Sequence, residues 1–216
     1  MTERSDVCSS DLNITPEDVL NDREISWPLT RAMCSPVGDG ASAALLCSER
    51  FLRALPKRVQ ERAIVVSASV MTGGKYRDLA EPGLSHVAAN KAYAKAGLNP
   101  SDIDIAEVHD ATSFCEIYQA EMLGFCEIGR GGSFVASGAT SLGGELPINL
   151  SGGLVSKGHP VGATGLSMIY ELVTQLRGEA GSRQSEGANI ALAENGGGVI
   201  GFDEAACSIT ILQRSN

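Results

Sequence analysis

An α/β fold is what this chain predicts, and three observations carry it. The β-branched run Ala63–Val70 is followed by a helical stripe over His86–Ala96. The apolar run Ile103–Val108 is followed by the helix-like Ser113–Met122, and the helix-like Gly165–Arg177 by strand-like Ala188–Ala193 and Ala205–Leu212. Strands alternating with helices at this spacing build a sheet covered by helices.

Each element has a local reason. Met1–Leu12 is polar and without periodicity, and reads as a non-native or disordered leader; Asp6–Leu12 also looks like translated library adapter. Thr15-Pro16-Glu17-Asp18 reads as a helix start, with a capping hydroxyl, proline in the first turn and acids at the positive end of the dipole. Pro28 stops regular structure before the turn Cys34–Gly40. Ala41–Leu46 is small and apolar and predicts a buried strand, Ser48–Leu55 a short helix, and Lys57–Glu61 a charged connector. His86–Ala96 places Ala89, Ala92, Tyr93 and Ala96 on one stripe and closes at Gly97. Gly129–Gly165 is a long glycine-rich passage, and the helix after it points Leu166, Ile169, Leu172, Val173 and Leu176 at a core. Asn195-Gly-Gly-Gly198 predicts a turn between the last two strands.

A net charge of −9 disfavours general binding to nucleic acid or anionic membranes. No apolar run approaches the roughly 18–20 residues of a membrane span. Six cysteines show no zinc-type pairing, so no metal site is expected, and without an export signal they read as free thiols in a reducing, cytoplasmic setting.

Three stretches carry chemistry. Asn149–Gly165 sets His159 between glycine clusters with Pro160 behind it, a rigid turn that presents an imidazole able to take a proton near neutral pH. Asn149, Gly152, Gly153 and Gly158 shape that turn. His109-Asp110 sits where a strand passes into a helix, where a neutral imidazole can donate to a developing oxyanion and Asp110 can fix its tautomer or bond nearby backbone. Glu194, followed by Asn195, Gly196 and Gly197, offers a carboxylate that can act as a base if burial raises its pKa, or can simply bond within a glycine turn. His86 reads as a surface or capping residue.

These three stretches, in this order, resemble the C-terminal half of the thiolase superfamily, in particular the sterol carrier protein branch. Glu107–Phe114 is similar to that branch's HD-x-F motif, with Thr112 where phenylalanine is usual. Leu192–Gly198 matches the position of a Cys-x-Gly motif in many thiolases and of His-Asn in the sterol carrier branch, here Glu194-Asn195. The resemblance implies a layered α-β-α-β-α sandwich, here one half plus a remnant of the other: residues 1–12 as leader, 13–56 as the remnant and 57–216 as the C-terminal domain. It implies acyl transfer to coenzyme A, a substrate rather than a bound cofactor, on a 3-ketoacyl-CoA cleaved through an acyl-cysteine, or the reverse condensation. His109 would help form the oxyanion site, His159 would activate the thiol and Glu194 would move a proton. Asp110, Asn149, Gly152, Gly153, Gly158, Asn195, Gly196 and Gly197 would line the substrate.

The family's nucleophilic cysteine lies upstream and has no counterpart here. Cys8 lacks the setting, Cys34 sits in a turn that the family does not use for chemistry, and Cys47, Cys115, Cys126 and Cys207 read as packing residues. The chain alone is therefore expected to be inactive, and the full-length protein to be a dimer acting on acyl-CoA. Two other readings stand beside this one: an acyl-CoA aldolase of thiolase fold with a small partner subunit, and a non-catalytic acyl-CoA or lipid-binding protein. One half of a sandwich is also expected to expose apolar surface and to associate.

Overall fold

The computed structural model describes residues 14–215; the leader expected over Met1–Leu12, with Cys8, lies outside them. The first helix, α1 (Pro16–Leu20), forms where its sequence predicts. Thr15 accepts from the Asp18 N–H while the Asp18 carboxylate accepts from the Thr15 N–H, a reciprocal cap. The hairpin β1 (Glu24–Ser26) and β2 (Leu29–Thr30) follows, then a 3-10 turn over Arg31–Met33.

Ala41–Leu46, expected to be a buried strand, has no regular structure and leaves Leu45 and Leu46 exposed. A strand needs a neighbour to satisfy its amides, and among the described residues none runs beside this segment. Two single-turn helices come next, α2 (Glu49–Leu52), capped by Ser48, and α3 (Lys57–Gln60). The second replaces the expected connector, because lysine, arginine and glutamine are good helix formers.

A four-stranded mixed sheet organises the rest: β3 (Ile64–Gly73), β4 (Ile105–Glu107), β5 (Ile190–Gly197) and β6 (Ala206–Arg214), in the order β3-β6-β5-β4. β4 and β5 are parallel and the other two pairings antiparallel. Alternate residues supply the two faces. On one face Ala106, Leu192, Ile209 and Ile211 meet α4 (Leu84–Ala96), through Ala88, Ala89 and Ala92, and α5 (Ser113–Met122), through Ala120. On the other, Ile105, Ala191, Ala193 and Leu212 meet Met168, Leu172 and Leu176 of the last helix. The result is a helix–sheet–helix sandwich, the α/β fold that the sequence predicts.

Other departures are local. The glycine-rich passage contains two short helices, α6 (Gly131–Ala136) and α7 (Gly153–Lys157). The last helix, α8 (Thr164–Leu176), buries Thr164, Met168, Glu171, Leu172, Gln175 and Leu176 and leaves Leu166 exposed. Three of those buried residues are polar and satisfied: the Thr164 hydroxyl reaches the Pro160 carbonyl, Glu171 pairs with Arg183, and the Gln175 amide donates to the Arg183 carbonyl. Residues 195–197, within the turn expected over 195–198, continue β5. His86 is half-buried and its Nδ1–H donates to the Met122 carbonyl at 3.1 Å, tying α4 to the end of α5. Cys47, expected to pack, is exposed. No described helix is long and apolar enough to cross a membrane.

Candidate active site

The site is assembled at the end of β4. Residues 147–149 run alongside that strand: the Ala106 N–H donates to the Pro147 carbonyl and the Asn149 N–H to the Ala106 carbonyl. Asn149 then turns the chain in the left-handed region, at φ 55°, which asparagine tolerates better than most residues. Its side chain closes the junction, Oδ1 accepting from the buried Val108 N–H at 2.8 Å and Nδ2 donating to Glu116 at 3.2 Å.

Asp110 points under the next turn. Its carboxylate accepts from the Leu154 N–H at 2.6 Å and from the Val155 N–H at 3.4 Å, at the N-terminal turn of α7. Burial raises its pKa to about 6, against the pull of those amides. Gly153 makes the approach possible: it sits at φ 60°, and a Cβ there would overlap Asp110 Oδ2. Gly152 leads into α7 and Gly158 ends it, both at positive φ, so that His159 leaves the helix toward His109.

The two imidazoles meet edge to face, with ring centres 4.9 Å apart and planes at 89°. Their neighbours set opposite tautomers. With the Thr164 hydroxyl donating to the Pro160 carbonyl at 3.1 Å, its oxygen accepts from His159 Nδ1–H at 2.7 Å. His159 therefore presents an unprotonated Nε2. Asn195 Nδ2 can only donate, so His109 Nδ1, 2.9 Å away, accepts and the proton of His109 rests on Nε2. Burial, with a smaller contribution from His159, brings His109 down to about 4, and burial lowers His159. At neutral pH the pair is thus one N–H donor beside one basic nitrogen.

Glu194 does not join them. Adjacent residues of a strand face opposite ways, so Asn195 reaches His109 while the Glu194 carboxylate is buried on the other face. There Oε2 accepts from the His109 backbone N–H at 2.9 Å and Oε1 from the Cys207 thiol at 3.5 Å. Burial and the neighbouring Glu204 push its pKa up. Gly196 faces Glu204, and Gly197 pairs with Ala206 at the end of the strand.

A model of the family described as thiolase C-terminal domain-like matches residues 68–213. The chain belongs to that family. It is 43% identical to "Sterol carrier protein 2" of Oryctolagus cuniculus over 89% of its own length and 38% of that protein. It is 41% identical to "Acetyl-CoA acetyltransferase" of Methanothermobacter thermautotrophicus over 88% of its own length and 50% of that protein. Among solved structures, the "Ltp2-ChsH2(DUF35) aldolase" superposes with a TM-score of 0.76 at 27% identity, covering 93% of this chain and 51% of that one. The chain thus spans about half or less of the length of these relatives.

Two features of this thiolase-family site have no local sequence signal. One is Thr164, which sets the tautomer of His159. The other is a strap, Cys34–Val37, that lies between the two histidine loops. Cys34 bridges to Thr112, the Ser35 N–H donates to the Ala111 carbonyl, the His159 N–H donates to the Pro36 carbonyl at 2.8 Å, and Val37 bridges to His159. Among the described residues no thiol is hydrogen-bonded to either imidazole. A cavity of about 390 Å³ opens beside Asp110 and Gly152, between α5, α6 and α7.

Proposed function

We propose that this chain carries the histidine half of a thiolase-type acyl-transfer site acting on acyl-CoA. The observation that supports it is the pair of opposite tautomers. His109 Nε2–H is suited to donate to a thioester or keto oxygen as negative charge develops. His159 Nε2 is suited to take the proton of a thiol, which makes the thiolate a competent nucleophile. Glu194 holds the His109 backbone in place and moves no substrate proton. Coenzyme A enters as substrate, and the cavity beside Asp110 accepts part of the acyl-CoA.

In this reading residues 57–216 form the C-terminal domain and 13–56 the remnant of the other half, and the complete cytoplasmic protein is a homodimer in lipid or sterol side-chain metabolism. The acyl-accepting cysteine, in this reading, is not one of the six in this chain, and the chain by itself does not turn over. The test is thiolysis of acetoacetyl-CoA, followed through loss of its enolate absorbance. The chain alone should show no rate above background. Expressed with a thiolase N-terminal half that bears a cysteine nucleophile, it should gain activity that His159→Ala removes. Robust thiolysis by the chain alone would overturn the proposal.

A second reading is favoured by the solved neighbour, which is named as an aldolase. A retro-aldol cleavage of a 3-hydroxyacyl-CoA needs a base and an oxyanion donor but no acyl-cysteine, and this pair supplies both. Cleavage that survives alkylation of every thiol would select it. Binding of acyl-CoA without turnover in either assay, even with the missing half supplied, would select a binding role.

A further inference from the structure

The face of the sheet opposite the imidazoles holds a second cluster. Glu194 of β5 and Cys207 of β6 lie side by side, since Gly196 pairs with Cys207. Glu204, from the loop before β6, reaches back over Gly196, where any Cβ would overlap its carboxylate. One ligand atom from each of the three residues lies within 4.8 Å of the others. The Gln119 amide of α5 closes the group, with Nε2 donating to Glu204 Oε1 at 3.2 Å.

Two features of this cluster are costly as they stand. Glu194 is fully buried and Glu204 half-buried, and among the described residues neither has a basic partner, the nearby Arg77 being engaged by Asp203. Gln119 is 2% exposed, yet its Oε1 has no hydrogen-bond partner, nor has Glu204 Oε2, and both atoms are buried. A buried acid without a counter-charge must take up a proton or a cation. Three converging donors (a thiol and two carboxylates), beside an amide whose buried oxygen is unused, favour the cation.

We propose that Glu194, Glu204, Cys207 and the Gln119 carbonyl bind one zinc-class divalent ion. Sulfur with oxygen donors in a four-coordinate shell suits zinc. Bonds of about 2.0–2.3 Å need ligand atoms roughly 3.3–3.8 Å apart, so the group must close by about 1 Å. Glu204, in the loop joining β5 to β6, is the ligand placed to move. The cysteines lack zinc-type pairing because the ligands come from a helix, a loop and two strands. The ion would be structural: it would lock the Glu194 carboxylate, whose other oxygen holds the His109 N–H.

The test is cobalt titration of the whole chain after dialysis against a chelator. One equivalent should produce a near-ultraviolet thiolate-to-cobalt band with four-coordinate visible bands, and Zn²⁺ should displace both. Glu204→Gln and Cys207→Ser should each abolish the bands, while Cys126→Ser should keep them. Zn²⁺ at a hundredfold excess over its Kd should raise the wild-type Tm by on the order of 5 °C and leave Glu204→Gln unmoved. That half-exposed variant decides the case even if Cys207→Ser misfolds. No charge-transfer band in the wild type, or a band that persists in folded Cys207→Ser, overturns the site and leaves a proton-sharing carboxyl pair. No readout involves turnover, so the outcome is independent of the acyl-transfer reading.

Discussion

His109 and His159 stand edge to face with their ring protons on different atoms, Nε2 in the first and Nδ1 in the second. Each assignment rests on one neighbour, Asn195 or Thr164, and each neighbour can be removed without touching a ring. Thr164→Val should leave His159 Nδ1–H without its acceptor and mix the tautomers, and Asn195→Ala should do the same at His109. Long-range ¹H–¹⁵N spectra at pH 7.5 should show single tautomers in the wild type and mixtures in the variants, each confined to one ring. The lost hydrogen bond should cost about 1 kcal/mol of stability in either case. Unchanged spectra would refute the assignment.

Asp110 makes stability depend on pH in a defined window. Its pKa rises from 3.8 to about 6 on folding, through burial. The folded chain therefore holds a proton that the unfolded chain releases between those values. The contribution of this group is greatest below about pH 4 and falls as pH rises to 6, by on the order of 2–3 kcal/mol. Asp110→Asn keeps an acceptor for the Leu154 N–H and should flatten this fall. Asp110→Ala strands two amides at the start of α7 and also removes the fall, so its cost should be greatest below about pH 4 and shrink as pH rises to 6. Urea midpoints between pH 4 and 7 test both.

Asn149 combines an unusual backbone with a buried bond. Asn149→Ala puts a residue that tolerates the left-handed region less well than asparagine at φ 55° and leaves the Val108 N–H buried without a partner. The sum is about 2–4 kcal/mol. Asn149→Gly should recover the backbone part, about 1 kcal/mol, but not the rest. Equal losses in the two variants, by denaturant titration, would show that φ matters little here.

The segment before β3 carries much uncovered apolar surface, with Leu45 103%, Leu46 83% and Trp27 83% exposed. Such surface associates in water. Light scattering of the purified chain should report oligomers, and Leu45→Lys with Leu46→Lys should reduce them. A monodisperse wild-type monomer would contradict this.

The helices α4 and α5 and the strands of the main sheet were legible because period and length agreed. The stripe on α8 departs from expectation only at Leu166, which is exposed; Leu172 and Leu176 are buried and Ile169 and Val173 pack against the core. Glu171 and Gln175 are buried by polar pairing, which a hydrophobic pattern cannot register. Ala41–Leu46 misled for the opposite reason: its composition suits a strand, but composition says nothing about whether a neighbour exists. At the site, His109, His159 and Asn195 could be named from motifs. Glu194 could be named but not oriented, because ending the strand at Ala193, with a turn over 195–198, hides the strand parity that sends it to the far face. The strap left no local trace, since its partners are more than seventy residues away along the chain.

The strap also bears on how relatives can be recombined. The family match begins at residue 68, and the main sheet at Ile64, so a chimera joined at either point would look structurally sound. Yet Pro36 and Ser35 belong to the same hydrogen-bonded unit as the two histidine loops, and such a graft would pair one parent's loops with the other's clamp. A crossover upstream of Arg31 moves the clamp and the loops together, and inherits the geometry of the two imidazoles as one piece.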